Sequence, residues 1–208
     1  MPVIAFVSQK GGVGKSTLAR ALAREAVAGG LSVLVGDLDV QQLTTLRWSA
    51  RRQAAGLEPA VPVQAFDTVS AAFEAEEGVD LLVLDGPAKA SAETLEIAQR
   101  AALVVIPSNP GADDLEPTVL LLHELVGEGI PKERLAVALV RVATDAEEVA
   151  ARAYVEAAGY AVLPGAIAER AAYRAAQSGG ASLTEVRFSG LAEKAELLVQ
   201  AIIDRATV

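Results

Sequence analysis

A glycine-rich stretch with two lysines lies near the start of the chain, in VSQKGGVGKSTLA. Glycines in such a loop let backbone N–H groups turn inward around a phosphate, and the helix that follows adds its dipole. In this pattern Lys15 is placed to contact β- and γ-phosphates, and the Ser16 hydroxyl is placed to ligate Mg²⁺. The predicted nucleotide phosphate site consists of Gly11, Gly12, Val13, Gly14, Lys15, Ser16 and Thr17.

Carboxylates follow two of the apolar segments of the chain. Asp85 comes directly after Leu81–Leu84, and Asp37 and Asp39 come shortly after Leu31–Val35. Carboxyl ends of parallel strands meet at one edge of a sheet, so we expect these side chains beside the phosphate loop. Asp85 is predicted to hold the Mg²⁺ shell through water. Asp39 is predicted to orient the attacking water or to contact Mg²⁺ through water, and Asp37 either faces the loop or caps the strand.

The elements that must position these residues are apolar segments that alternate with Ala-rich stretches of helical periodicity. The predicted strands are Val3–Val7, Leu31–Val35, Val61–Ala65, Leu81–Leu84, Ala102–Ile106, Leu135–Val142 and a short Ala161–Leu163. The predicted helices are Lys15–Gly29, Thr44–Ala55, Val69–Glu77, 91–100, 114–128, Ala146–Ala158, 169–177 and 189–205. Continuous apolar strands are typical of parallel sheets covered on both faces. We therefore expect one domain, residues 1–208, with an α/β fold: a doubly wound, mostly parallel sheet flanked by helices in three layers.

The composition excludes several kinds of site. The chain has no cysteine, which excludes disulfides, thiolate metal sites and iron–sulfur clusters within it, and a single histidine, His123, argues against zinc. The first residues lack the features of a signal peptide, and no apolar run is long enough to span a bilayer, so a cytoplasmic location is expected. The net charge of −9, from 18 basic and 27 acidic residues, argues mildly against a surface coated in nucleic-acid-binding charge. A local basic patch stays possible, because the field of one face decides such binding.

Several motifs together resemble a known family. KGGVGKST, with its lysine at the loop entrance, is the deviant Walker A motif, and with DLDVQQ and LLVLDGPA it resembles the ParA/MinD group of P-loop ATPases. The resemblance continues through IPSNPGADDLEP and AIAERAAYRAAQSGGASLTE, and Trp48 also fits it. The length of the chain points to the small ParA-type partition ATPases, as does the missing N-terminal DNA-binding extension. The resemblance implies a P-loop NTPase fold, ATP or ADP and Mg²⁺ as cofactors, and weak intrinsic ATP hydrolysis.

The resemblance also implies a role for the second lysine of the loop. In the family the entrance lysine, here Lys10, reaches across a nucleotide-sandwich dimer to the phosphates bound by the other subunit. A cation delivered in this way stabilises charge on the transferring phosphoryl group. Lys10, Lys15 and Asp39 are therefore the expected catalytic residues, and a homodimer is the expected ATP-bound state.

The adenine site and the dimer face are less specific parts of the resemblance. Arg141 and Pro164 lie where the family holds the base, and Asp114 is expected as a helix N-cap at the dimer face. The chain departs from the family at Val40, where many members have proline, and at Gly86, where many have threonine. The second departure could alter how Asp85 is coupled to the segment after it.

A ParA-type protein must bind DNA non-specifically as an ATP-bound dimer. Such binding requires clustered lysines and arginines that contact DNA phosphates. The candidates near the C-terminus are Arg170, Arg174 and Arg187. A second set on one helix is predicted to form one basic face: Arg47, Arg51 and Arg52. A MinD-like protein would instead end in an amphipathic helix with a basic polar face.

The C-terminal segment LAEKAELLVQAIIDRATV has an apolar stripe of Leu191, Ala195, Leu198 and Ile202, but its polar face carries both charges. We therefore expect this helix to pack on the sheet, and no membrane partner. The predicted function is a Mg²⁺-dependent ATPase of the ParA type that partitions a plasmid or mobile element, reset by a centromere-binding or cargo adaptor protein. Three alternatives stay open: an ATP-gated positioning ATPase for a protein cargo, a membrane-associated MinD-like regulator without DNA binding, and an interaction module with negligible hydrolysis.

Overall fold

Parallel strands form the centre of the molecule. The computed structural model describes residues 2–75, 77–87 and 92–207. Within them seven strands pair in one sheet in the order β3-β2-β4-β1-β5-β6-β7, and every pairing is parallel. The strands are β1 (Val3–Phe6), β2 (Val33–Asp37), β3 (Val63–Ala65), β4 (Leu81–Asp85), β5 (Leu103–Ser108), β6 (Leu135–Val142) and β7 (Val162–Ala168). The predicted α/β fold with a doubly wound parallel sheet is confirmed.

Helices connect successive strands and cover both faces of the sheet. They are α1 (Lys15–Ala28), α2 (Thr44–Ala54), α3 (Val69–Glu74), α4 (Ala92–Arg100), α5 (Ala112–Gly127), α6 (Asp145–Ala157), α7 (Ala171–Ser178) and α8 (Ser189–Ala206). Two short 3₁₀ turns, Lys132–Arg134 and Leu183–Glu185, complete the described elements.

Alternation along the buried strands divides the core into two apolar clusters. In β1, Ile4 and Phe6 belong to one cluster, whereas Val3 and Ala5 belong to the other. The first cluster packs α1, α2, α7 and α8 against the sheet, and the second packs α3, α4, α5 and α6. Successive strand residues point to opposite faces, so continuous apolar strands require this three-layer arrangement.

The last strand is longer than predicted, and the difference decides where the segment after it lies. The sequence predicted a strand ending at Leu163, but β7 continues to Ala168. Its register against β6 advances from Val162 to Ala166 while β6 advances only from Val137 to Leu139. The extra residues form a bulge, which lets the strand pass a proline and a glycine that are typical of a strand end. As a result, the chain leaves the sheet at its carboxyl edge after Ala168.

A buried arginine ties α2 to the segment after α7. Arg52 is 1% exposed, donates to both carboxylate oxygens of Glu185 at 2.6 and 2.9 Å, and donates to the Pro59 carbonyl at 2.9 Å. Gly180 packs so closely that a Cβ there would lie 2.5 Å from the Arg52 backbone nitrogen. The predicted basic face of Arg47, Arg51 and Arg52 is therefore wrong for Arg52, whereas the other two are exposed.

Replacing Glu185 by Gln should destabilise the protein by about 2 kcal/mol near neutral pH, because Arg52 would keep its buried charge opposite a neutral partner. Burial raises the pKa of Glu185, but the hydrogen bonds from Arg52 and from the Ser182 N–H outweigh burial, so that the pKa is lowered. A lowered pKa stabilises the fold above the unfolded-state pKa, and this contribution is lost as pH falls through the folded-state pKa.

Urea unfolding of wild type and Glu185→Gln at neutral pH and in mild acid measures this contribution. The difference in the free energy of unfolding between the two proteins should be smaller in mild acid than at neutral pH. Glu193→Gln on the exposed face of α8 is the matched control and should unfold like wild type. A difference that stays constant with pH would contradict the ionic role of Glu185.

The C-terminal helix packs on the sheet, as predicted. Ala195, Leu198 and Ile202 are buried in the same cluster as α1, and Leu191 is packed against its margin. The stripe therefore belongs to the core. Across the described ranges, no helix combines the length and apolar character needed to cross a membrane.

Candidate functional site

The glycine-rich loop joins β1 to α1 at the carboxyl edge of the sheet. Gly12 and Gly14 have φ values of +79° and +100°, in the left-handed region that favours glycine. The backbone passes directly from Gly14 into α1, which begins at Lys15. The loop lines a cavity of about 240 Å³ together with Ser16, Thr17, Arg20, Asp39, Gln42, Thr44, Gly86 and Arg141. The start of α1 therefore directs its unpaired N–H groups and its dipole at this cavity.

Lys15 is a buried cation at the base of the loop. It is 7% exposed, and its Nζ donates to Ser8 Oγ at 3.1 Å. Burial lowers the pKa of Lys15, and the negative charges of Asp85 and Asp39 offset part of this effect. Burial of an ammonium group costs free energy that a neighbouring anion offsets, so this environment suits a bound phosphate.

Asp85 is a buried carboxylate with one satisfied oxygen. It is 1% exposed, and its Oδ2 accepts from Thr45 Oγ1 at 2.7 Å. Its Oδ1 has no hydrogen-bond partner among the described residues. The pKa of Asp85 is raised to about 6, mainly by burial and in part by the negative charge of nearby Asp37, although the hydrogen bond from Thr45 acts in the opposite direction. A free buried carboxylate oxygen close to the Ser16 hydroxyl fits a hydrated Mg²⁺, which prefers oxygen ligands and keeps several waters.

Asp37 caps the next helix. It is fully buried, and its Oδ2 accepts from the N–H groups of Thr45 and Leu46 at 2.9 and 3.0 Å. Its Oδ1 accepts from the Asp39 N–H at 3.2 Å. The sequence predicted that Asp37 either faces the loop or caps the strand. The structure shows a capping residue, but the element that it caps is the first turn of α2. Asp37 thereby fixes the start of α2 beside the loop.

Asp39 lies in the wall of the phosphate cavity and is only half-buried. Its Oδ1 accepts from the Gln42 N–H at 3.1 Å, which holds the turn after β2. The carboxylate keeps access to the cavity, as a residue that orients water requires. Gly86, one of the two departures from the family, lines the same cavity, and a Cβ there would lie 2.6 Å from the Phe6 carbonyl oxygen. A threonine at this position would therefore require the backbone to move.

Lys10 lies outside the cavity that holds Lys15. Its side chain is 44% exposed, and its Nζ donates to the Asp113 carbonyl and, at 3.2 Å, to Asp114 Oδ1. Asp114 also accepts from Asn109 Nδ2 at 3.1 Å. Asp114 is not the predicted N-cap, because α5 begins at Ala112, so the aspartate lies within the first turn.

A second cavity of about 330 Å³ adjoins the phosphate cavity and shares three of its residues, Gly14, Thr17 and Arg141. Arg141, with a φ of +55°, lies in the wall of both. The structure does not bring Pro164 to this site: it lies at the bulge of β7, in a separate depression with Leu197 and Arg205. The geometry therefore gives no support to the predicted contact between Pro164 and the base.

The sequence interpretation missed most of the second cavity. Its other wall is the end of β7 and the segment after it, which contribute Ala168, Glu169, Arg170, Tyr173, Arg174 and Gln177. Two of these, Arg170 and Arg174, were predicted for DNA. These residues belong to the motif AIAERAAYRAAQ, which is part of the sequence resemblance to the family. A strand that ended at Leu163 gave no reason to place this motif beside the phosphate loop.

Arg20 connects the two cavities and was also missed. It is 7% exposed; its Nε donates to Thr45 Oγ1 at 3.0 Å and its Nη1 donates to Gln177 Oε1 at 3.0 Å. Burial lowers the pKa of Arg20 to about 10, although Asp85 acts in the opposite direction. The guanidinium also lies 5.7 Å from the centre of the Trp48 ring. A chain of hydrogen bonds thus runs from Asp85 through Thr45 and Arg20 to α7.

Comparisons with known proteins agree with this geometry. A family model described as the CobQ/CobB/MinD/ParA nucleotide binding domain matches residues 4–183. A search of curated protein sequences finds no significant match.

Solved structures with the same fold cover nearly the whole chain. Apo McdA from Cyanothece is 18% identical with a TM-score of 0.76, covering 98% of this chain and 99% of that one. The septum site-determining protein MinD from Pyrococcus horikoshii, complexed with Mg-ADP, is 17% identical with a TM-score of 0.76, covering 97% and 95%. A putative plasmid partition protein from Borrelia burgdorferi, bound to AMPPNP, is 15% identical with a TM-score of 0.74, covering 98% and 99%.

At these identities the structural likeness shows the fold, and the family model adds the nucleotide-binding domain. The phosphate loop, Lys15 and Asp85 lie within the matched residues. The chain therefore belongs to the CobQ/CobB/MinD/ParA nucleotide binding domain family, as a P-loop protein of the ParA/MinD type.

Proposed function

We propose that this protein is a Mg²⁺-dependent ATPase that forms an ATP-sandwich dimer and uses the dimer to position cargo on DNA. The observation that supports it best is the separation of the two loop lysines. Lys15 is buried in the phosphate cavity, whereas Lys10 is exposed beside the first turn of α5. An exposed cation next to a nucleotide site is available to a second subunit in a way that a buried one is not.

Within one subunit the residues divide the work of binding and hydrolysis. The loop N–H groups and Lys15 hold the phosphates, and Ser16 and Asp85 hold the metal shell. When bound, Mg²⁺ neutralises charge that develops on the phosphate oxygens. Asp39 orients the attacking water from the cavity wall. Arg141 and the segment after β7 enclose the base and ribose in the second cavity.

Replacing Asp39 by Ala should lower ATP hydrolysis about a hundredfold or more while leaving nucleotide affinity within a few-fold of wild type. Among the described residues the carboxylate accepts one hydrogen bond, from the Gln42 N–H, so the fold should tolerate the change. Phosphate release and the affinity for a fluorescent ADP analogue are the two measurements. Asp204→Ala on the exposed surface of α8 is the control and should hydrolyse ATP normally. Equal hydrolysis by Asp39→Ala and wild type would assign the water-orienting role elsewhere.

The proposed DNA contact rests on exposed arginines of two neighbouring helices. Arg47 and Arg51 lie exposed on α2, and Arg174 lies exposed on α7, which contacts α2. Arg170, also exposed, precedes α7 directly. In this patch Arg174 has an acidic neighbour, Glu169, at 3.8 Å. We propose that these four exposed cations, of which Arg170 and Arg174 also line the second cavity, form a local positive surface on an acidic protein.

Neutralising Arg47 and Arg51 together should weaken binding to non-specific duplex DNA in the presence of ATP. The slope of log affinity against log salt should fall by about one for each DNA phosphate that these arginines neutralise in wild type. Fluorescence anisotropy with a labelled duplex at several salt concentrations measures both quantities. Lys194→Ala, an exposed lysine of α8, removes one positive charge away from this patch and should leave the slope unchanged. An unchanged slope in Arg47→Ala/Arg51→Ala would remove α2 from the DNA surface.

The net charge of −9 and the burial of Arg52 favour a second candidate function. In it the same ATP-dependent dimer positions a protein cargo without binding DNA. DNA binding by wild type separates the two functions. The first requires ATP-dependent, salt-sensitive binding to DNA, and the second requires that there is none. The proposed centromere-binding or cargo adaptor partner and the proposed nucleoid association follow only from the first.

A further inference from the structure

The threonine that begins α2 faces the metal-binding hydroxyl of the phosphate loop. Thr44 Oγ1 and Ser16 Oγ are hydrogen-bonded to each other at 3.0 Å, and both residues line the phosphate cavity. Neither the loop motif nor the aspartate motifs assign a role to Thr44. Its neighbour Thr45 has a different task, because that hydroxyl donates to Asp85 and accepts from Arg20.

Several contacts fix Thr44 in this place. Asp37 accepts from the two N–H groups that follow, those of Thr45 and Leu46. Leu43, directly before it, has a φ of +49°, a conformation that side chains of this kind rarely adopt. Surrounding contacts must hold a residue in such a conformation, so the backbone before Thr44 is fixed. The start of α2 is thus anchored to both β2 and β4.

The separation of the two hydroxyl oxygens matches the coordination geometry of magnesium. Mg²⁺ binds oxygen ligands in an octahedron at about 2.1 Å, so neighbouring ligands lie about 3.0 Å apart. Ser16 Oγ and Thr44 Oγ1 are separated by 3.0 Å, and the buried Asp85 Oδ1 is free to accept from a metal-bound water. We propose that Thr44 is a second protein ligand of Mg²⁺, adjacent to Ser16 in its coordination shell. The inference rests on the nucleotide-binding function proposed above.

This ligand would connect the metal to the proposed DNA surface. Thr44 is the first residue of α2, and the same helix carries the exposed Arg47 and Arg51. Ligation would tighten the first turn of α2 only when Mg²⁺–nucleotide is bound. The positions of Arg47 and Arg51 would thereby depend on whether Mg²⁺–nucleotide is bound.

The test is a Mg²⁺ titration of the protein with a fluorescent ADP analogue, which avoids both hydrolysis and dimerisation. Thr44→Val removes the hydroxyl and keeps the shape, and it should raise the Mg²⁺ concentration at half-saturation about tenfold or more. Thr44→Ser restores the hydroxyl and should titrate like wild type. In excess chelator all three proteins should bind the analogue equally, because the metal is then absent. Ser49→Ala on the same helix, whose hydroxyl donates to the Val61 carbonyl, is the control and should titrate like wild type.

The outcomes separate this proposal from the proposed function. If wild type and Thr44→Val share one Mg²⁺ midpoint while Ser16→Ala is shifted, the site binds Mg²⁺–nucleotide but Thr44 is not a ligand. If wild type binds no analogue at all, the nucleotide function fails and this proposal fails with it. If Thr44→Val is poorly folded by thermal unfolding, Thr44→Ala and Thr44→Ser are compared instead, and equal midpoints overturn the proposal.

Discussion

Lys15→Ala should weaken nucleotide binding about a hundredfold or more and reduce ATP hydrolysis to background. Lys15 is the buried cation of the phosphate cavity, at 7% exposure. Truncating one partner of a buried, hydrogen-bonded charge pair costs about 2 to 5 kcal/mol, and each 1.4 kcal/mol is about tenfold in affinity. Titration with a fluorescent ADP analogue measures the first effect, and phosphate release measures the second.

The fold of Lys15→Ala should persist, because the described contacts of its ammonium group are confined to the cavity, with Ser8. Its loss also leaves the negative charges of Asp85 and Asp39 less compensated, so the variant should bind Mg²⁺ alone no worse than wild type. Lys194→Ala removes the same charge from the surface of α8 and should behave like wild type. Hydrolysis that survives in Lys15→Ala would place the nucleotide outside this loop.

Lys10→Ala should have the opposite pattern: normal nucleotide binding by the single subunit, loss of the ATP-dependent dimer, and hydrolysis lowered about a hundredfold or more. A cation supplied by another subunit to a transferring phosphoryl group contributes about 10³- to 10⁵-fold in known cases. In the single chain Lys10 contacts α5 through Asp113 and Asp114, and the pair with Asp114 is exposed. Exposed pairs contribute little to stability, so thermal unfolding of Lys10→Ala should match wild type.

Comparison of the two lysine variants isolates what each does. If Lys10→Ala also lost nucleotide binding, Lys10 would be a ligand of its own subunit's phosphates. If it lost neither dimerisation nor hydrolysis, Lys10 would be an ordinary surface residue of the loop entrance. Lys10→Arg keeps the charge and should retain part of the dimerisation, because length and geometry change while the cation remains.

The positions of the glycine-rich loop and of Asp85 at one edge of the sheet could be predicted because their geometry is local. Gly12, Gly14 and Lys15 occupy neighbouring positions of one strand–loop–helix unit, and Asp85 directly ends a strand that had to be buried. Such positions depend on few long-range contacts. The carboxyl ends of parallel strands then had to meet at one edge.

The parts that could not be predicted depend on contacts distant in sequence. Arg52 resembles a surface arginine of an amphipathic helix until Glu185, 133 residues later, is placed beside it. The bulge of β7 depends on the register of this strand with β6. Because of the bulge, the segment after Ala168 lies beside the second cavity. Arg20 likewise contacts Gln177, 157 residues later. Local pattern carries no information about such pairings.

The most direct test of the ATP-sandwich proposal is sedimentation velocity of wild type and Lys10→Ala with a non-hydrolysable ATP analogue and with ADP, each with Mg²⁺. Wild type should sediment as a dimer with the analogue and as a monomer with ADP, and Lys10→Ala should remain a monomer with both. A wild-type protein that stays monomeric with saturating analogue, or that is equally dimeric with ADP, would contradict the proposal.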